Sequence, residues 1–364
     1  MSPSSTSDLA RRRLINQRLV GAGFRTPAEA VSWFGAVQSQ DFPGAKWALG
    51  QRMQGVSDAA LDRAFDAGEI LRTHVLRPTW HFVAPADIRW MLALTGPRVH
   101  RAMSYYCRQN GLDAKTLSRA RTLIQRALRG ETHLTRAELA AALKKAGIDA
   151  LGVRLGLLVM HEELDGIICS GPRHGKQLTY ALLDERVPPV PALSRDEALT
   201  ALAVRYFTSH GPATVRDFVW WSGLTVKDAR SGIEMAGKAL AQENDHSLTY
   251  WSSPNERARV RVPSPVVHLL PNYDECLIAY KDRGNVGHFP AQPDPRLMRL
   301  GVFAHQMLLD GRMIGSWRRS VGRSGVALEV VAYRTLTKGE RAALSDAVAR
   351  HARFMNTAAT VSVL

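Results

Sequence analysis

The chain is poor in cysteine, in long apolar runs and in acidic charge, and each shortage removes a class of protein. Cys107, Cys169 and Cys276 are its only thiols, odd in number and far apart. That pattern supports neither a disulfide framework nor a cysteine zinc site, so reduced and mostly buried thiols are expected. No run approaches the length of a membrane span, and the segment from Met1 to Asp8 lacks the apolar centre of a signal peptide. The expectation is a soluble cytoplasmic protein with no membrane partner. The histidines show no ligand-like pair, so neither a metal nor another cofactor is expected.

What the chain has in excess is positive charge. Its 364 residues carry 48 Lys and Arg against 33 Asp and Glu, a formal net charge of +15. Such a surplus suits a polyphosphate-binding surface, and the arginine forks that supply most of it match phosphate oxygens bidentately. A genome rich in G and C gives an Arg- and Ala-rich chain for a different reason, so charge favours nucleic acid without establishing it. A hydrophobic fraction of 45% is ample for packed cores over two to four domains.

Read in order, the chain repeats one grammar. Residues 8 to 20 form an expected helix with Leu9, Leu14, Ile15 and Leu19 on one side and Arg11, Arg12 and Arg13 on the other. A helix from about Pro27 to Val37 comes next, then a short one capped by Ser57 and ended by Gly68. The β-branched and aromatic run from Glu69 to Val83 breaks at Arg77-Pro78 and reads as a hairpin. Helices followed by a hairpin make a winged-helix unit, here residues 8–110. The pattern returns over 111–186, where Thr135 and Glu138 form a capping box and Ile167 to Leu182 is a hairpin with a basic tip at Arg173 and Lys176. After a proline-rich linker from Val187 to Leu193, residues 194–263 carry Thr214, Gly223 and Thr225 in helix-turn-helix spacing. Trp220 and Trp221 read as core of that unit. From 264 to 364 the chain turns to strands and turns, with Asp310-Gly311 joining two runs, a basic cluster at Arg318, Arg319 and Arg323, and a terminal helix from Lys338. The fold class expected is α+β: three tandem winged helix-turn-helix motifs followed by a β-rich domain.

Within the first unit, Gln38-Ser39-Gln40 precedes Pro43 and Gly44, which stop the helix. Residues two apart point to different sides of a helix but share a face of an extended segment, so Gln38 and Gln40 can converge only once the helix has ended. An ordinary polar helix end is the alternative reading.

These residues resemble a known family, the bacterial winged-helix DNA-binding-domain proteins of the AlkZ and YcaQ type, which are alkylpurine and interstrand-crosslink DNA glycosylases. The resemblance rests on Gln38 to Ala48, Arg72-Thr73-His74 through Trp80-His81-Phe82, Gly211-Pro212 through Leu224, Leu270 through Glu275, and Asp310 through Arg319. It implies tandem winged helices that cradle duplex DNA, a C-terminal β-domain and a catalytic Gln-X-Gln at Gln38 and Gln40. On that reading Arg72, His74, Arg77, Trp80, His81, Arg173, Lys176, Arg318, Arg319 and Arg323 are candidates to touch DNA. For His74, Trp80 and His81 a core role is the alternative, and Asp41 is either a helper or a cap of the following turn.

Two amides suit one kind of substrate. Hydrolysis of an N-glycosidic bond passes through an oxocarbenium-like sugar, which gains from an oriented water and nearby acceptors. Glutamine is uncharged and a very poor base, so it cannot drive off an unmodified purine, whereas a cationic N7-alkylguanine or N3-alkyladenine leaves as a neutral base. The expectation is therefore a monomeric DNA glycosylase for cationic alkylated purines in damaged duplex DNA. The rivals are a non-catalytic winged-helix regulator and an enzyme that has lost its lesion pocket, since fold does not settle function. Either DNA-binding reading predicts affinity that falls steeply with salt.

Overall fold

The computed structural model describes residues 6–245, 248–254, 262–286, 305–322 and 325–364 as an α+β protein. The first unit runs helix Pro27–Phe34, strand Ala36–Gln38, helices Phe42–Gly50 and Asp58–Ala67, then strands Leu71–Val75 and Arg77–Val83. Its sheet places the third strand between the other two. The second unit repeats the sequence of elements with helix Ala114–Leu128, strand Leu134–Thr135, helices Arg136–Lys145 and Gly152–Leu164, and strands Ile168–Ser170 and Thr179–Leu182, again with the third strand central. The third unit has helices Arg195–His210, Val215–Ser222 and Val226–Ala236 and strands Ala241–Asp245 and Leu248–Ser252; its first strand is reduced to the bridge between Ala213 and Trp251. The C-terminal sheet has five strands, four of them antiparallel in chain order and the last, Ala359–Val363, parallel to Val326–Ala332.

Local chemistry explains most of the ends. Thr26, Thr135, Ser194, Thr214 and Thr337 each close a capping box with an acidic residue three positions on. The helix expected to reach Val37 stops at Phe34, because Gly35 takes φ +78° and turns the chain into a strand. Pro43, expected as a stop, instead sits in the first turn of a new helix, Phe42–Gly50, where its missing N–H has no helical partner to lose.

Packing joins stretches that the sequence separates. Val37, Trp47 and Phe82 of the first unit share one core with Leu269, Trp317 and Phe354 of the C-terminal region. The Trp47 indole donates to the Leu269 carbonyl at 2.7 Å. A second core gathers Tyr206, Phe218 and Trp221 of the third unit around Met91 of the long helix Pro85–Gln109 and around Leu71 and Val75 of the first hairpin. Gly223, at φ +69°, lies under the tip of that hairpin, where an added Cβ would stand 2.3 Å from the Leu76 carbonyl oxygen. The first helix spans Thr6–Asn16, and its arginines do not face solvent together as the periodicity suggests. Arg13 is buried, donating to the Pro212 carbonyl at 2.9 Å and lying 3.8 Å from the Tyr280 ring centre, and Arg12 pairs with Glu243 at 2.6 Å. Cys169 and Cys276 are buried and Cys107 half-buried, all as free thiols. No helix among the described residues is long and apolar enough to cross a membrane.

Candidate active site at the end of the first strand

Gln38 ends the first strand, paired with His81, and Ser39 continues the ladder by donating its N–H to the Trp80 carbonyl at 2.7 Å. Beyond Ser39 the chain bends at Gln40 and Asp41, Asp41 with extended dihedrals, before the next helix begins at Phe42, and both glutamine side chains bond the same neighbouring strand. Arg77 Nη2 donates to Gln38 Oε1 at 2.9 Å, and the Trp80 backbone N–H donates to Gln40 Oε1 at 3.3 Å. A guanidinium and a backbone N–H can only donate, so each fixes an amide with its oxygen toward the third strand and its NH2 end turned away. Among the described residues the Gln38 NH2 has no acceptor and neither side-chain amide is bonded to a carboxylate.

The backbone under the two amides is held from three directions. Arg72 Nε donates to the Ser39 carbonyl at 3.0 Å. Burial draws the Arg72 guanidinium down to about 10, which leaves it charged at neutral pH. The Gln38 N–H donates at 2.7 Å to Oε1 of Glu275, a fully buried carboxylate whose other oxygen accepts from the Trp221 indole at 3.0 Å and faces His210 Nε2 at 3.3 Å. Burial would raise the Glu275 pKa, but the His210 and Gln38 hydrogen bonds outweigh it and keep the group below its ordinary range. Beside it, Asp274 makes a buried bidentate pair with Arg52 at 2.7 and 2.9 Å, and Arg52 also donates to the Ala48 carbonyl in the helix after Gln40. Adjacent carboxylates on one short turn thus hold both sides of the glutamine segment. The Leu270 to Glu275 run is part of the family resemblance, yet nothing in the sequence joins Glu275 to Gln38 across 237 positions.

Several candidates for DNA contact are corrected by burial. His81 is 0% exposed, its Nδ1 lies 2.9 Å from the Thr79 carbonyl, and burial with the nearby Arg77 charge pushes its pKa down to about 3. It is a neutral ring that reaches no surface. His74 is also buried, with Nδ1 bonded to Glu163. The Trp80 ring is half-buried, flanked by the His74 ring at 4.2 Å and the Arg72 guanidinium at 4.3 Å, and it borders an open cavity. Arg173 is turned inward onto Asp62 and Asp66 at 2.8 and 2.7 Å, tying the second hairpin to the first unit. Arg318 pairs with Glu329 at 2.6 Å, Arg319 is half-buried, Lys176 is exposed, and Arg323 lies outside the described residues.

A cavity of about 580 Å³ opens between the first two units, lined by Arg72, Trp80, Glu163, Ser170 and Tyr180 among others. Elsewhere His100, His161 and Asp165 bring three ligating atoms within 4.8 Å of one another. Arg121 already bonds both Asp165 and Glu162 there, and a metal would have to displace that guanidinium.

Residues 31–354 match the family model described as DNA glycosylase AlkZ-like. A curated relative, the interstrand DNA cross-link repair glycosylase of Streptomyces sahachiroi, is 21% identical over 314 residues, covering 80% of this chain and 81% of its own. The solved structure of the Streptomyces sahachiroi DNA glycosylase AlkZ superposes with a TM-score of 0.80 over 100% of both chains at 19% identity, a likeness of fold.

Proposed function

The chain belongs to the AlkZ-like DNA glycosylase family, and from that premise we propose that it hydrolyses the N-glycosidic bond of cationic alkylated purines in duplex DNA, with Gln38 and Gln40 as the catalytic pair. The observation that carries this reading is that, among the described residues, neither side-chain amide is bonded to a carboxylate: the acid nearest in the network, Glu275, is bound to the backbone N–H of Gln38. In the step proposed, the bond from C1′ to the purine breaks with its electron pair going to the base. An N7-alkylguanine carries a positive charge and departs neutral. Water, held at an amide NH2 beside the sugar, adds to C1′ and gives its proton to solvent. Amides add too little to expel an uncharged purine or uracil, so charge on the leaving group sets the specificity. An interstrand crosslink joined through N7 of guanine presents the same cationic leaving group at each end, and unhooking such crosslinks falls within the proposal.

The test is release of free base from duplex DNA containing N7-methylguanine, by the parent and by the double variant Gln38→Ala, Gln40→Ala. The parent is expected to release base and the variant to lose on the order of 10²-fold or more, the scale of one preorganised polar group, with duplex binding retained. No release by the parent from this lesion or from a larger N7 adduct, with binding intact, would instead support a non-catalytic DNA-binding protein.

A further inference from the structure

The long helix Pro85–Gln109 is buried along its first half and leaves its second half in solvent, with Tyr105 55% exposed and Tyr106 54% exposed. Arg98, Arg101, Tyr105 and Arg108 succeed one another at steps of three, four and three, which places them on one face. All four are exposed. Many arginines of this chain are engaged by carboxylates, as Arg12, Arg52, Arg121, Arg173 and Arg318 show. Among the described residues no carboxylate pairs with the guanidinium of Arg98, Arg101 or Arg108; Arg98 bonds only the Gly223 carbonyl.

The inner end of this stripe opens on a groove of about 360 Å³ lined by Leu76, Arg77, Pro78, Arg98, Arg101 and Gly223 among others. Arg77 is the residue that holds the Gln38 carbonyl, and its Nε is a buried donor with no acceptor. The groove is therefore one arginine away from the candidate catalytic amide. Its floor is fixed, because the hairpin tip at Leu76 presses on the turn at Gly223.

We propose that the groove and the stripe Arg98, Arg101, Tyr105 and Arg108 form a seat and rail for the phosphodiester backbone of the DNA strand that carries the lesion. The phosphates flanking a nucleotide under attack at C1′ must lie beside the amides, and the groove brings the exposed Arg98 and Arg101 there, with Arg77 linking it to Gln38. From Arg98 to Arg108 the helix advances about 15 Å, a length that spans roughly four phosphates at 3.4 Å of axis rise per strand. The tyrosine supplies a hydroxyl and an apolar ring edge for phosphate and sugar. This inference rests on the proposed reading only in taking duplex DNA as the ligand; it needs no catalysis.

The test is binding of an undamaged 20-base-pair duplex across a series of salt concentrations, using the full chain. Each phosphate that is no longer neutralised lowers the slope of log K against log salt by about 0.9. The variant Arg101→Ala, Arg108→Ala is expected to lower the slope by about 1.8 on that scale, and Arg98→Ala by about half as much. A charge-matched pair on the terminal helix, Arg341→Ala, Arg353→Ala, is expected to leave it unchanged. An unchanged slope in the rail variants, or an equal drop in the charge-matched pair, overturns the proposal. Unaltered thermal unfolding of the rail variants excludes misfolding, and Arg101→Glu, whose added repulsion must weaken binding further, gives a second reading. Base release by the parent is scored separately: release with an intact rail slope in every variant retains the glycosylase and removes the rail, while a lowered slope without release does the reverse.

Discussion

The first and second units have the same order of elements and the same strand order, yet only one carries the candidate chemistry. The difference lies in the residues just beyond the first strand. In the second unit Thr135 ends the strand and also caps the helix Arg136–Lys145, so strand passes directly into helix and the side chain is taken up by the capping box. In the first unit Ser39, Gln40 and Asp41 stand between the strand Ala36–Gln38 and the helix Phe42–Gly50. Those added residues make room for two amides that bond the neighbouring strand. A buried carboxylate from elsewhere in the chain then holds the backbone that the second unit secures with its own threonine. The winged-helix scaffold is thus neutral with respect to chemistry, and a short extension at one strand end sets the two units apart.

Glu275→Ala is expected to undo this contrast most severely. It leaves the Gln38 N–H and the Trp221 indole buried without their acceptor, and removing one partner from such a network costs about 3–5 kcal/mol. A large fall in the denaturant midpoint is expected, measured by chemical unfolding. Glu275→Gln, which keeps an acceptor oxygen, is expected to lose less stability while reducing base release.

Acid acts on the first unit and the C-terminal region together. His81, His268, His305 and His351, all in the first unit or the C-terminal region, have pKa values pushed down to about 3, 4, 4 and 3, chiefly by burial. In the unfolded chain they titrate near 6.5, so below that pH the unfolded state binds protons that the folded state refuses. Stability is complete above about 6.5 and falls as pH drops toward the folded values, by about 1.4 kcal/mol per pH unit for each histidine. Thermal unfolding between pH 7.5 and 5 is expected to show this decline. His81→Leu should make it shallower, and an unchanged pH slope would refute the neutral buried ring.

The smallest effect is expected in the second unit. Thr135→Ala removes a helix cap worth about 1 kcal/mol and should lower the melting temperature slightly without altering base release. A large loss of activity from this change would show that the second unit takes part in chemistry after all.

Capping boxes, the glycine at the helix-turn-helix turn and the strand alternation of the first hairpin are short-range signals. They made the winged-helix grammar readable from residues a few positions apart. The helix end ahead of Gln38 and Gln40 was legible for a related reason, though the stop proved to be Gly35 and not Pro43. Long-range pairing was not legible. A carboxylate of the C-terminal region on the Gln38 N–H, Arg173 on Asp62 and Asp66, and the neutral burial of His81 depend on which surfaces meet. A charged side chain looks the same in sequence whether it faces phosphate or a buried partner. Local propensity acts over one turn or one strand, whereas ion pairing and desolvation act between residues brought together by the shared cores, and those decided which basic groups remain available to DNA.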